Sequence, residues 1–126
     1  QLFFDVYDQT AEGHFETLAH AMVNQIHSKV FRYGQSYSQW LLLALRQAYP
    51  HRELAVVGPE AKSALEALTA RVYWPNTALC WTATESDLPI FEGRLSPGQT
   101  LYYLCQGRSC QMPTAELDTV LQQFLF

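Results

Sequence analysis

Apolar residues at three- and four-residue spacing dominate the first part of the chain. Phe15, Leu18, Ala19, Met22, Val23, Ile26 and Val30 fall on one face of a helix drawn through residues 10–31. Asp8 or Thr10 is placed to cap its start. Tyr33-Gly34 breaks the pattern, and glycine suits a left-handed helix end. Ser36-Tyr37-Ser38-Gln39 then has the form of a capping box. Tyr37, Trp40, Leu41, Ala44, Leu45 and Ala48 carry a second apolar stripe until Pro50 stops it. Two helices joined by so short a turn predict an antiparallel hairpin.

Beyond residue 50 the period changes. Glu53-Leu54-Ala55-Val56-Val57-Gly58 is a short apolar, β-rich run, as a strand buried on both faces requires. Pro59-Glu60 opens a helix running to about Arg71 that buries Ala61, Ala64, Leu65 and Leu68. Thr77 to Ala83 reads as a second strand, and the whole as a βαβ unit. Residues 84–100 are rich in turn formers and read as a surface loop. Residues 101–106 (LYYLCQ) make a third strand. Pro113-Thr114-Ala115-Glu116 starts a closing helix with Leu117, Val120, Leu121, Phe124 and Leu125 inside. The predicted fold is α/β: a small three-layer module with about three mostly parallel strands over residues 51–126, preceded by an antiparallel helical hairpin over residues 1–50.

Composition narrows the function. The 126 residues suffice for a real core, with 48% hydrophobic and 16% charged positions, as in folded soluble chains rather than disordered ones. The eight basic residues are scattered singly at net charge −4, which argues against a nucleic-acid surface. The longest apolar run, Trp40 to Leu45, falls far short of the roughly 20 residues of a membrane span. Three cysteines leave at least one unpaired, which favours a reducing, cytoplasmic setting. The chain opens on Gln1 rather than Met, so its true beginning is expected to be missing.

Few residues carry chemistry. Cys105 and Cys110 lie five positions apart with Gly107 between them and Pro113 beyond. They admit three readings: buried structural thiols, a disulfide or redox pair, or part of a metal site. A disulfide needs Gly107 to fold the chain back until the α-carbons come within about 7 Å. The spacing lacks the two-residue interval of thioredoxin-type motifs at a helix start. Cys80 reads as core. His20 and His27 stand on one side of the first helix but about 10 Å apart, too far to share an ion. His14 and His51 lie elsewhere, and no metal set converges. Gly58-Pro59 lacks the glycines of a dinucleotide fingerprint, and Glu60 repels an anion. The GRSC stretch lacks the glycine of a nucleophile elbow. Glu12/Glu16 and Glu85/Asp87 read as solvated carboxylates. No catalytic set and no cofactor follow from these residues.

Taken in order, ELAVVG, a helix, YWPNTALCW, LPIFEGR, YYLCQGRSCQMPT and a closing amphipathic helix resemble the C-terminal end of a known family. These are large thioredoxin-domain-containing proteins with an (α/α) barrel similar to N-acylglucosamine 2-epimerases and six-hairpin glycosidases; the spermatogenesis-associated thioredoxin-like protein of animals is one. The resemblance spans residues 35–126. Leu88, Pro89 and Gly93, and the Tyr103-x-Cys105-x4-Cys110-x2-Pro113 segment, are its most specific parts. It implies that residues 1–50 end a parent barrel and that residues 51–126 follow it. The family's redox-like cysteine motif and its sugar-binding acids have no counterpart here.

The leading expectation is a non-catalytic structural and interaction module. It braces the barrel of the parent chain, presents a face to the thioredoxin-like domain, and self-associates in isolation through residues 10–48. A second expectation makes Cys105 and Cys110 a redox pair serving that domain. A third places the loop 84–99 and Trp81 in a carbohydrate-modifying site.

Overall fold

The computed structural model of the chain describes residues 1–49, 51–107 and 109–125. It divides into two compact units, Gln1–Pro50 and His51–Phe126. In the first unit, Ala11 adopts a left-handed conformation with φ at 57° and separates α1 (Leu2–Thr10) from α2 (Gly13–Arg32). The start of the unit is therefore two helices. Asp8 lies within α1 rather than capping α2, and the Thr10 hydroxyl accepts from the Glu12 amide in the intervening turn. The break at Tyr33-Gly34 is real but is not a left-handed glycine end: Gly34 opens a 3₁₀ turn, Gly34–Tyr37, that leads straight into α3 (Ser38–Ala48). No side-chain hydrogen bond caps α3, so the serines do not form the box their spacing suggests. Tyr49 is extended, as the residue before a proline must be; Pro50 itself lies outside the described residues.

Phe4, Ala19 and Val23 form the buried centre of this unit, with Phe3, Trp40, Leu43 and Ala44 packed around them. Arg46 of α3 pairs with the buried Asp8 and sits 3.4 Å from Asp5. It also donates to the Phe4 carbonyl at 3.3 Å and stacks over the Phe4 ring at 4.7 Å. One guanidinium thus fastens α3 to α1.

The second unit is built on β1 (Arg52–Val57), which pairs in parallel with β2 (Thr77–Thr82) across the helix α4 (Ala61–Arg71). β3 (Leu101–Gln106) pairs with the other edge of β1 and continues into β4 (Ser109–Cys110), giving the order β2-β1-β3-β4. The unit is α/β and layered. The sheet is mixed, however: only β1–β2 is parallel, while β3 runs antiparallel to β1 and to β4. A parallel β3 would need another helical crossover. Residues 83–100 hold only turns, so the chain rounds the end of the sheet and comes back the opposite way.

Alternation along the strands sorts the core onto two faces. Leu54, Val56, Tyr102 and Leu104 meet α4 and the last helix, α5 (Leu117–Leu125), through Ala61, Leu68, Val120 and Phe124. Ala55, Val57, Cys80 and Tyr103 meet Ile90 and Phe91 of the long loop. The layers are therefore helices, sheet and an ordered loop. α5 starts three residues later than its sequence signal at Thr114. Thr114 instead pairs with Tyr102 as an isolated bridge, and its hydroxyl accepts from the Glu116 amide.

Gly58 joins the loop to the sheet. Its φ is 137°, and a Cβ there would lie 2.2 Å from the Gln99 carbonyl oxygen and 2.6 Å from the Thr100 α-carbon. Only glycine admits that approach. The neighbouring Glu60 amide donates to the Thr100 hydroxyl at 3.0 Å. A turn used by nucleotide-binding folds for phosphate is here closed by the chain's own backbone.

Candidate functional site

Tyr103 and Cys105 alternate with Tyr102 and Leu104 on β3, so their side chains share the loop-bearing face. Gln106 and Ser109 are paired, which leaves a two-residue turn containing Gly107 at φ 57°, the positive angle such hairpins require. Arg108 lies outside the described residues. The turn sets Cys105 directly opposite Cys110. Their α-carbons are 3.9 Å apart and their sulfurs are bonded. Of the three readings of this pair, the disulfide is the one the fold contains. Cys105 is 1% exposed, whereas Cys110 is exposed on the edge strand.

Pro113 has a backbone reason for its place. Cys105 faces Cys110 and Tyr102 faces Thr114, so three steps along β3 meet four on the returning segment. The extra residue makes a bulge on the sheet edge, where a missing N–H costs no ladder bond.

The remaining component comes from the loop. Leu88 and Pro89 begin a run of turns in which the Leu88 carbonyl accepts from the Phe91 and Glu92 amides, and Ile90 and Phe91 are buried. Gly93, at φ 67°, then turns the chain so that Arg94 lies over β3. The Tyr103 hydroxyl donates to the Arg94 carbonyl at 2.7 Å, and the guanidinium stands 5.3 Å above the Tyr103 ring. From there Nη1 is 3.7 Å from Cys105 Sγ and Nη2 is 3.5 Å from Cys110 Sγ. Among the described residues no carboxylate pairs with Arg94. A fixed positive charge therefore faces both sulfurs of the disulfide.

The structure thus brings together Gly93, Tyr103, Cys105 and Cys110. Leu88 and Pro89 shape the far end of the loop, and Pro113 shapes the edge. Arg94 is the residue that sequence reasoning missed. Its signal was its position right after Gly93 in LPIFEGR, obscured because one arginine among scattered basic residues carries no pattern. Cys80 is half-buried on the same sheet face and is not in a disulfide. Trp81 is 45% exposed, but its register partner Val56 belongs to the helix-side core, so Trp81 points away from the face that the loop covers. The two parts of the carbohydrate reading lie on opposite faces.

His14 and His20 lie 3.5 and 3.9 Å from Glu12 and Glu16 and against the rings of Phe15 and Phe4, and His51 meets Asn76 at 3.2 Å. Among the described residues no three His, Cys, Asp or Glu converge as a metal set would. No described helix is long and apolar enough to cross a membrane. Comparison of the chain with family models, curated proteins and solved structures gives no match.

Proposed function

We propose that the 51–126 unit is a thiol–disulfide exchange module in which Cys105 and Cys110 cycle between disulfide and dithiol. Its natural partner on this reading is the thioredoxin-like domain of the larger, epimerase-like protein that residues 35–126 resemble. The observation that carries the proposal is the Arg94 guanidinium placed against both sulfurs, with no carboxylate among the described residues paired to it. A cation does little for a neutral disulfide and much for the thiolates released when it opens. Exposure of Cys110 supplies the access that exchange needs. A cytoplasmic location, proposed for the whole chain, fits the same reading, because disulfides in reducing compartments are usually transient and functional.

The test is a thiol count on the purified chain, denatured without reductant after equilibration in glutathione buffers from about −180 to −320 mV. One free thiol at the oxidising end and three at the reducing end, with a midpoint between, is the expected result. A disulfide that stays closed throughout would make the pair a structural staple.

A second reading, a bracing and docking module, is supported by the first unit. A groove of about 320 Å³ lined by Phe3, Phe4, Met22, Val23, Trp40 and Leu43 lies open on it. Leu18, Leu42 and Leu45 are exposed nearby in sequence. On this reading the face belongs against the remainder of the parent chain, and the isolated chain self-associates through residues 10–48. Light scattering over a concentration series should show a mass above the monomer; a constant monomer mass would remove this support.

A further inference from the structure

The two sulfurs are not equivalent, and the difference fixes a direction for the chemistry. Resting on the exchange reading above, we infer that Cys110 is the sulfur an incoming thiolate attacks. Arg94 is then the catalytic cation that receives the charge released on Cys105. The Cys105 residue is closed off within the sheet, and Cys110 lies on the edge strand with no neighbouring strand beyond it.

The reaction with a dithiol proceeds in two displacements. A thiolate of the dithiol attacks Cys110 Sγ, a new sulfur–sulfur bond forms, and the Cys105–Cys110 bond breaks. The electron pair of that bond goes to Cys105 Sγ, which leaves as a thiolate. The second thiolate of the dithiol then attacks its own partner sulfur in the mixed disulfide and expels Cys110 as a thiolate. The dithiol has lost two electrons and two protons and become a disulfide. Cys105 and Cys110 have gained the two electrons, and the protons go to solvent or to the new thiolates.

The slow point is the departure of Cys105, because a thiolate in an apolar sheet face is costly and a poor thiolate leaves slowly. Nη1 of Arg94 already stands within contact of that sulfur, so the charge is met as it forms, without rearrangement. Nη2 does the same for Cys110 in the second step. Arginine suits the task because it stays protonated beside a thiolate, where a lysine could lose its proton. Tyr103 acts as a positioning residue: its hydroxyl holds the Arg94 backbone and its ring carries the guanidinium. Glu53, opposite Cys105 in register on β1, is on the same sheet face and opposes the thiolate. Cys80 shares that face on β2. The contact distances of Arg94 make it the dominant charge.

Two measurements separate this inference from the exchange reading on which it rests. Both use the full chain carrying Cys80→Ser, so that only the pair reacts. First, the disulfide of this chain and of its Arg94→Gln, Arg94→Lys and Tyr103→Phe variants is reduced with dithiothreitol. Reduction should slow by about tenfold or more in Arg94→Gln, because the leaving sulfur loses the cation that meets its charge. Arg94→Lys and Tyr103→Phe should be intermediate. Second, Cys105→Ser and Cys110→Ser leave single thiols that are titrated with an aromatic disulfide across pH. Cys110 should react at least about tenfold faster than Cys105, and Arg94→Gln should move its pH–rate midpoint upward. Unchanged reduction rates and an unchanged midpoint in Arg94→Gln would overturn the role of Arg94 even if the wild-type pair titrates with glutathione. Faster reaction at Cys105 would overturn the direction of attack. A wild-type pair that never opens in glutathione sinks the exchange reading instead, and that result does not depend on any variant.

Discussion

Tyr102 carries its phenol into the helix-side core, where burial pushes its pKa up and the charge of Arg71 pulls it partly back. In the unfolded chain the same phenol ionises at about 10. Above that pH the unfolded state sheds a proton that the folded state retains, so stability falls as pH rises from about 10 towards the raised folded value. Below it the contribution is constant. Tyr102→Phe should flatten this alkaline loss in urea unfolding followed between neutral and alkaline pH; an unaltered slope would mean another group is responsible. Gly58 offers a separate check. Gly58→Ala forces a methyl group into the Gln99 carbonyl at a positive φ, and should cost about 2–4 kcal/mol in denaturant melts. At this scale the sequence was informative wherever a residue acts through its own conformation or pattern, as with Gly107 in its turn. It was silent wherever a residue acts through a distant neighbour. Gly58 is required by Thr100, and Arg94 matters because of Cys105 and Cys110; neither pairing leaves a local trace.

Strands and helices were legible because their periods are strong. The runs at 53–58, 77–83 and 101–106 are the three long strands within a residue of their bounds, and the stripe at 61–71 is α4. What periodicity could not supply was direction and partner. Nothing in LYYLCQ says whether it lies parallel or antiparallel to β1; that is decided by the absence of a helix in the eighteen residues before it. Nor could it separate α1 from α2, because the break at Ala11 is a backbone event at a residue that usually prolongs helices. The β3–β4 hairpin yields a prediction at the same scale. Its disulfide closes a loop with only four intervening residues, so opening it removes about 2 kcal/mol or less on the chain-entropy account. Reduced protein should stay folded, with faster amide exchange confined to residues 109–112. Loss of protection throughout β1 and β3 on reduction would show that the bond holds the sheet together.

For the whole chain, two cores of different kinds are at work. The first unit depends on Arg46, whose side chain is 10% exposed beside an Asp8 side chain at 4%. Removing the carboxylate with Asp8→Ala leaves a largely buried guanidinium with the part-exposed Asp5 and the Phe4 carbonyl to compensate it, at a cost of about 2–3 kcal/mol. Hydrogen exchange in α1, α2 and α3 should accelerate accordingly, and unchanged protection there would deny Arg46 its role. The second unit rests on β1, fully surrounded by parts that come later in sequence: β2 on one edge, β3 on the other, α4 and α5 above, the loop below.

That placement governs when the unit can form during synthesis. β1 is made first, but one of its edges stays open until residues 101–106 exist, and its helix-side core stays incomplete until Val120 and Phe124 exist. A growing chain therefore carries the most apolar strand of the unit with one edge open for about 45 residues of elongation and its core incomplete for nearly 70. Folding must wait for the final helix, and the interval before it is when the nascent chain is most exposed to aggregation and most in need of a chaperone.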